Sequence, residues 1–337
     1  MILTCRWLIH ASQNLPNLKR MDLSNSKKLK MTPCFDGILN LERLDFTGCI
    51  NLSHVDPSIG LLTKLGFLSL QNCSSLVRLD FNGGSSSSSL RVLRLSGCTK
   101  LENSPDFSRA FNLEYLDMDR CISLSTIHES IGALVKLIFL SLRYCTNLVG
   151  IPDGLNRMAS LTTLDLYGCS KFANLPLRLI NCSSPLEYLI FLDLSFCNIS
   201  EVPCSIGELR CLERLNLQGN NFVTIPSTIN RLFSLAYLNL SHCHSLEYLP
   251  NLPTESAPLL GRYFKTTSGS HDHRSGLYVF DCPKVAERLF SCKEGCNNDV
   301  IADTQFEWVQ RLVKVCTLPT FPLLSLLVCN TFFLISH

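Results

Sequence analysis

One block recurs ten times along the chain: L-x-x-L-x-L-x-x-(Cys/Asn/Ser), usually followed by x-x-Leu. Its first apolar residue falls at Leu18, Leu41, Leu65, Leu90, Leu113, Leu137, Leu161, Leu189, Leu212 and Leu235. Successive intervals are 23, 24, 25, 23, 24, 24, 28, 23 and 23 residues. So regular a period fixes the architecture before any other property is consulted. Leu44 and Phe46, or Leu116 and Met118, alternate as residues on one face of a short strand do. One coil cannot bury that face alone, whereas stacked coils bury a continuous core. Between the strands come Asp56-Pro57-Ser58-Ile59-Gly60, Ile151-Pro152, Val202-Pro203 and Ile225-Pro226. Proline there suits a turn or the start of a short helix, not the centre of a paired strand.

The expectation is an α/β repeat solenoid. It is a leucine-rich-repeat arc with a parallel concave sheet of about ten strands, followed by an incomplete β-rich post-repeat segment. Hydrophobic residues make up 46% of the chain and charged residues 17%, which excludes a disordered polypeptide. Eight of the eighteen cysteines, Cys49, Cys73, Cys98, Cys121, Cys145, Cys169, Cys197 and Cys243, share one repeat position. Ser26 and Asn220 occupy it in the other two coils. A small, buried side chain with a weak S–H donor suits an inward turn just after a strand. These eight therefore read as a structural ladder, and so many free thiols favour a reducing compartment. Sequons at Asn51, Asn72, Asn181, Asn198 and Asn239 read as by-products of the repeat.

Residues between the inward leucines form three columns on the concave face. The first runs Arg20, Arg43, Phe67, Val92, Tyr115, Phe139, Thr163, Phe191, Arg214, Tyr237. The second runs Asp22, Asp45, Ser69, Arg94, Asp117, Ser141, Asp165, Asp193, Asn216, Asn239. The third runs Ser24, Thr47, Gln71, Ser96, Asp119, Arg143, Tyr167, Ser195, Gln218, Ser241. Aromatics and arginine are enriched in protein interfaces. Candidate protein-binding residues are Arg43, Phe67, Arg94, Tyr115, Asp117, Phe139, Arg143, Asp165, Tyr167, Phe191, Asp193, Arg214 and Tyr237. The columns hold five arginines against six aspartates, and the whole chain carries a net charge of only +2. A nucleic-acid groove would need a surplus of Lys and Arg, so nucleic acid is not an expected partner. Because the aspartates recur by repeat position, they read as a solvated column rather than catalytic carboxylates. Two coils are irregular, with Asn82-Gly83-Gly84 running into Ser85–Ser89 and extra residues near Arg178 to Glu187.

No catalytic arrangement emerges, and neither a cofactor nor a metal is expected. His128-Glu129 lacks the second His of a zinc-protease helix. His271-Asp272-His273 with Cys282, or with Cys292 and Cys296, does not match familiar zinc spacing. Met1 to Ser12 has no apolar core of signal-peptide length. From Val315 to His337 there is no charged residue, and the run is about as long as a membrane span. Pro319, Pro322, Ser325 and Asn330 argue against a span, so a membrane tail anchor is the less favoured reading of this end.

Several segments share more than the generic repeat. They are Leu15-Pro16-Asn17-Leu18-Lys19-Arg20-Met21-Asp22-Leu23-Ser24, the L-x-L-S-G-C-x-x-L of Leu93 to Leu101, Pro57-Ser58-Ile59-Gly60, and Leu212 through Phe222. Together they resemble plant intracellular nucleotide-binding leucine-rich-repeat immune receptors of the Toll/interleukin-1-receptor class. Gly276-Leu277-Tyr278-Val279-Phe280-Asp281-Cys282-Pro283-Lys284 resembles the start of that class's post-repeat jelly-roll/Ig-like domain. The resemblance covers roughly 13–315. The chain is expected to divide into an irregular N-terminal cap at 1–14, repeats at 15–253, a partial post-repeat segment at 254–315 and an apolar tail at 316–337 that does not resemble the family. The resemblance implies a cytoplasmic or nuclear, non-enzymatic recognition module that senses pathogen effectors or guarded host proteins through its concave face. In the class, a nucleotide-binding switch domain is a further partner of the repeats. No Walker-type segment occurs in the chain, so a truncated or partial receptor is expected. The alternative is a membrane-tail-anchored leucine-rich-repeat scaffold or adaptor that does not itself signal.

Overall fold

The structure, a computed structural model, describes residues 15–81, 89–172, 186–249 and 276–285. Eleven three-residue strands form one sheet, each hydrogen-bonded in parallel to the next in sequence order. They are β1 (Arg20–Asp22), β2 (Arg43–Asp45), β3 (Phe67–Ser69), β4 (Val92–Arg94), β5 (Tyr115–Asp117) and β6 (Phe139–Ser141). The remainder are β7 (Thr163–Asp165), β8 (Phe191–Asp193), β9 (Arg214–Asn216), β10 (Tyr237–Asn239) and β11 (Gly276–Tyr278). Every pairing keeps one register, so equivalent repeat positions lie side by side: Leu44 opposes Leu68, Leu68 opposes Leu93, and Leu93 opposes Leu116. The fold is a leucine-rich-repeat solenoid.

Each coil sends its central strand residue and the leucine two positions later into the core. Leu116 and Met118, like Leu140 and Leu142, have no solvent exposure. A parallel sheet needs both faces covered or its ladder protected. Here the inward face meets the coil's own return segment. Most returns carry a single 3₁₀ helix, as at Pro57–Leu61, Glu129–Ala133, Asp153–Arg157, Cys204–Glu208 and Ser227–Arg231. Asp56 starts the first of these, its Oδ1 accepting from Ser58 N at 2.9 Å, with Pro57 at the opening position where its missing N–H costs nothing. Ser58 and Ser130 then tie the coils together: their Oγ atoms accept from Phe35 N and Phe107 N of the preceding coil, at 2.8 and 2.7 Å.

After each strand the chain makes a tight inward turn. One residue there has positive φ: Asn25, Gly48, Asn72, Gly97, Arg120, Tyr144, Gly168, Phe196, Gly219, His242 and Asp281. The next residue is the ladder position. All eight predicted ladder cysteines are buried there as free thiols. Each Sγ donates to a backbone carbonyl of the preceding coil: Cys49 to Leu23 O at 3.1 Å, Cys98 to Leu70 O at 3.2 Å, Cys145 to Met118 O at 3.2 Å. Asn220 does the same work with an amide. Its Nδ2 donates to Leu194 O at 2.9 Å and its Oδ1 accepts from Ile199 N at 3.0 Å. Burial pushes the thiols up, Cys73 to about 12.

The sheet holds one strand more than the repeat count suggests. Gly276–Tyr278 pairs with β10 in the common register, and Cys282 Sγ donates to Leu240 O at 3.2 Å, making a ninth ladder rung. Leu277, Val279 and Cys282 reproduce the L-x-L-x-x-C spacing after a connection much longer than one repeat. The segment read from sequence as the opening of a post-repeat domain is thus hydrogen-bonded into the solenoid sheet. The N-terminal cap, the serine tract at 82–88, most of the insertion near 178–187, the segment 286–315 and the apolar tail lie outside the described residues. No helix among the described residues is long and apolar enough to cross a membrane.

Candidate functional site

The common register places the three columns as rows across the concave face, and all thirteen candidate binding residues stand in them. In the first two columns, rings and guanidinium groups interleave. Arg43 lies over Phe67 at 3.5 Å from the ring centroid. Arg94 sits between Phe67 and Tyr115, at 5.6 and 5.5 Å. Tyr115 stacks on Phe139 with centroids 4.4 Å apart and planes 2° from parallel. Farther along, Arg214 sits between Phe191 and Tyr237, at 5.8 and 5.0 Å, and Tyr237 continues to Tyr278 of β11 at 5.1 Å. A guanidinium held against ring faces is attracted by their quadrupoles and keeps its planar fork oriented. The face thus presents a preorganised strip of rings and cations.

The aspartates of the second column are not a solvated set, as the sequence suggested. Asp117, Asp165 and Asp193 are buried, and Asp45 is half-buried. The reason is local. The backbone N–H two residues on has no backbone carbonyl partner, and the carboxylate accepts it. Ser24 N reaches Asp22 at 2.9 Å, Tyr167 N reaches Asp165 at 3.1 Å, and Ser195 N reaches Asp193 at 2.9 Å. Asn216 and Asn239 do the same for Gln218 N and Ser241 N. Neighbouring rings and third-column side chains then cover these groups. Asp119 accepts from Ser141 Oγ and from Arg143 N. Arg143 Nη1 reaches Asp165 at 3.3 Å. Asn216 Nδ2 donates to Asp193 at 2.9 Å. Burial, then the neighbouring Asp193 charge, pushes the Asp165 carboxyl up to about 7 against the pull of Arg143. Asp119 is raised as well, chiefly by burial. Tyr237 is also buried, its hydroxyl pushed up to about 12 mainly by burial.

The surface available to a partner is therefore narrower in one direction and wider in another. Asp117, Asp165, Asp193 and Tyr237 serve mainly to hold the face in place. Tyr144 and Phe196, which the column reading missed, are exposed and flank Tyr167. Tyr167 meets Tyr144 edge-on at 4.9 Å and Phe196 at 5.5 Å. Both sit at the positive-φ turn position, where a bulky residue is strained and calls for a reason. Arg120 at the same position reaches over Tyr144 at 5.6 Å. The signal was in the sequence: Gly48, Gly97, Gly168 and Gly219 mark that position in other coils.

Of the imagined zinc residues, Cys282 is a ladder rung, while His271, His273, Cys292 and Cys296 lie outside the described residues. Among the described residues no three His, Cys, Asp or Glu side chains converge as a metal site.

Comparison with known proteins places these features. The Leucine Rich Repeat family matches residues 188–209 and 211–232. The TMV resistance protein N of Nicotiana glutinosa is 31% identical over 302 residues, covering 74% of this chain and 26% of that protein. Disease resistance protein RPS6 of Arabidopsis thaliana is 34% identical over 250 residues, covering 73% and 19%. Disease resistance protein RPP4 of the same plant is 30% identical over 242 residues, covering 71% and 18%. The chain thus spans about a quarter or less of the length of these relatives. Among solved structures, the Leptospira interrogans leucine-rich-repeat protein LIC12759 matches with a TM-score of 0.40 at 20% identity, covering 84% of each chain. The functional domain of InlJ from Listeria monocytogenes, described as including a cysteine ladder, matches with a TM-score of 0.47 at 18% identity, covering 72% of this chain and 52% of that one.

Proposed function

We propose that this chain, similar over most of its length to plant disease-resistance proteins, is the recognition region of such a receptor. It binds a pathogen effector or a guarded host protein on the concave face of its repeats. The observation that carries this reading is the pair of interleaved runs of rings and guanidinium groups, Arg43 to Phe139 and Phe191 to Tyr278, on either side of Thr163, with exposed Tyr144 and Phe196 flanking half-buried Tyr167 beside them. Solenoids use such extended concave surfaces for binding. Arginine and aromatic side chains held rigid lose little entropy on association. In this reading the receptor belongs to the Toll/interleukin-1-receptor class and acts in the cytoplasm. Signalling then falls to the parts of the relatives that the chain does not match, and the repeats also restrain a nucleotide-binding switch. Nothing in the reading requires a catalytic step by this chain.

The test is a display screen of secreted pathogen proteins and host proteins against the full chain. Binders are then re-measured on a Phe139→Ala, Phe191→Ala, Arg214→Ala triple variant. Interface hot spots lose about 2 kcal/mol or more each on truncation, so the triple variant should weaken capture by a hundredfold or more. Its circular-dichroism melt should match the parent chain, because the inward leucines are untouched. Binders whose affinity stays within twofold on a folded triple variant would remove the concave face from the assignment.

A further inference from the structure

Charge is distributed unevenly along this face. Arg43 has Asp45 at 3.4 Å and Arg143 has Asp165 at 3.3 Å. Arg94 on β4 and Arg214 on β9 have no carboxylate within ion-pair distance among the described residues, and the Nε of each is buried without a hydrogen-bond partner. Each is instead clamped between two rings. A desolvated guanidinium with one nitrogen unsatisfied gains more than usual from an acceptor on its terminal nitrogens. Burial also holds the Arg214 pKa below its usual value. Asp117, Asp119, Asp165 and Asp193 lie on or just after the strands between these two arginines. Their oxygens are engaged by the N–H groups of Asp119, Tyr167 and Ser195 and by Ser141, Arg143 and Asn216. Arg143 stands between them but is paired with Asp165, so from β4 to β9 Arg94 and Arg214 are the guanidinium groups of the three columns left without a carboxylate among the described residues.

We infer that the concave face takes an extended polypeptide segment crossing the strands, with one carboxylate side chain meeting Arg94 and a second meeting Arg214. The inference rests on the protein-recognition reading above and names the chemistry of the partner. Five strand steps at about 4.8 Å separate β4 from β9, on the order of 24 Å. An extended chain advances about 3.3 Å per residue, so the two acids stand about seven positions apart. Exposed Tyr144 and Phe196 supply apolar contact along the same path.

The experiment uses the full chain and labelled peptides on a Gly/Ser/Tyr framework. Each peptide carries two Glu residues three, seven or eleven positions apart, and binding is read by fluorescence anisotropy. The seven-position peptide should bind at least tenfold more tightly than the other spacings and than its Gln-for-Glu counterpart. The advantage should shrink on raising salt from 50 to 300 mM, as exposed charge contacts do. Arg94→Gln or Arg214→Gln should each lower affinity roughly ten- to a hundredfold and erase the spacing preference. The Gln-for-Glu peptide makes the same test without altering the protein, should either variant fold poorly. Equal affinity at all spacings, or a twelve-residue oligothymidine binding as tightly as the seven-position peptide, overturns the inference. Screened binders that need Phe139 and Phe191 but carry no acid pair would leave the recognition reading standing and remove this one.

Discussion

Asp165→Asn should stabilise this protein near neutral pH and do little at acidic pH. Asp165 is in register with Asp193 on the neighbouring strand, and its carboxyl is raised from 3.8 to about 7 by burial and by that charge, with Arg143 pulling the other way. Between those two values the folded chain holds a proton that the unfolded chain has released. Stability therefore falls as pH rises through that window. About three pKa units at 1.36 kcal/mol each give roughly 4 kcal/mol lost between pH 4 and pH 8. The amide removes that loss. The Arg143 attraction is already contained in that figure, since it is one of the causes that set the raised value. The Oδ1 of the amide can still accept from Tyr167 N, as Asn216 and Asn239 accept the equivalent N–H groups in later coils. Its Nδ2 can face Asp193, as that of Asn216 does from the other side. The net expectation is roughly 3–4 kcal/mol of added stability at pH 8 and about 1 kcal/mol or less at pH 4.5, read from urea unfolding of both chains across the range. A difference that does not change with pH would refute the argument that Asp165 is a strained, buried acid.

Two further outcomes bear on the turn and the ladder. Gly219→Ala should cost about 1–2 kcal/mol from φ +67 alone, and more because a Cβ there lies 2.4 Å from the Phe196 ring. In a Phe196→Gly background the steric part should vanish, and a double-mutant cycle with no coupling would contradict the contact. Peptide mapping after iodoacetamide treatment of the native chain at pH 8 should find Cys34, Cys204 and Cys211 labelled and Cys98, Cys121 and Cys145 protected until urea is added. Labelling of the latter three in the folded chain would break the ladder.

The parts of this structure that were legible in the sequence are those that every coil must repeat. An inward leucine has one place to go, so Leu44, Leu68 and Leu93 line up whatever their neighbours are, and the columns beside them follow by alternation. Cys49, Cys73 and their equivalents were legible for the same reason. β11 was hidden because its coil arrives after a long connection and starts on a glycine, so spacing by itself did not connect it to β10. The aspartates were misread because recurrence was taken as evidence of solvent. Recurrence equally marks a backbone requirement, and D-x-(Ser/Thr), as in Asp45-Phe46-Thr47, is the pattern of a carboxylate reaching the N–H two residues on. Tyr144 and Phe196 escaped notice because their position carries no hydrophobic period, only a φ constraint.

That constraint matters for how such a face can change. Each coil touches only its neighbours, and the inward residues set the stacking without reference to the columns. The concave residues can therefore be replaced singly while the register holds. The exceptions are the second-column acids and amides, which also cap the backbone, and the turn residues. A bulky turn side chain is tolerated where the next coil offers room: Phe196 lies over Gly219, and Tyr144 over Gly168, whose added Cβ would sit 3.0 Å from its ring. An aromatic at one turn thus requires a glycine at the next. His242 departs from this pattern: the next turn carries Asp281 in place of glycine, and the two side chains hydrogen-bond at 2.9 Å. Side chains free of a backbone role stand in the first and third columns, as Arg214, Phe139 and Tyr167 do, and at Arg94 in the second.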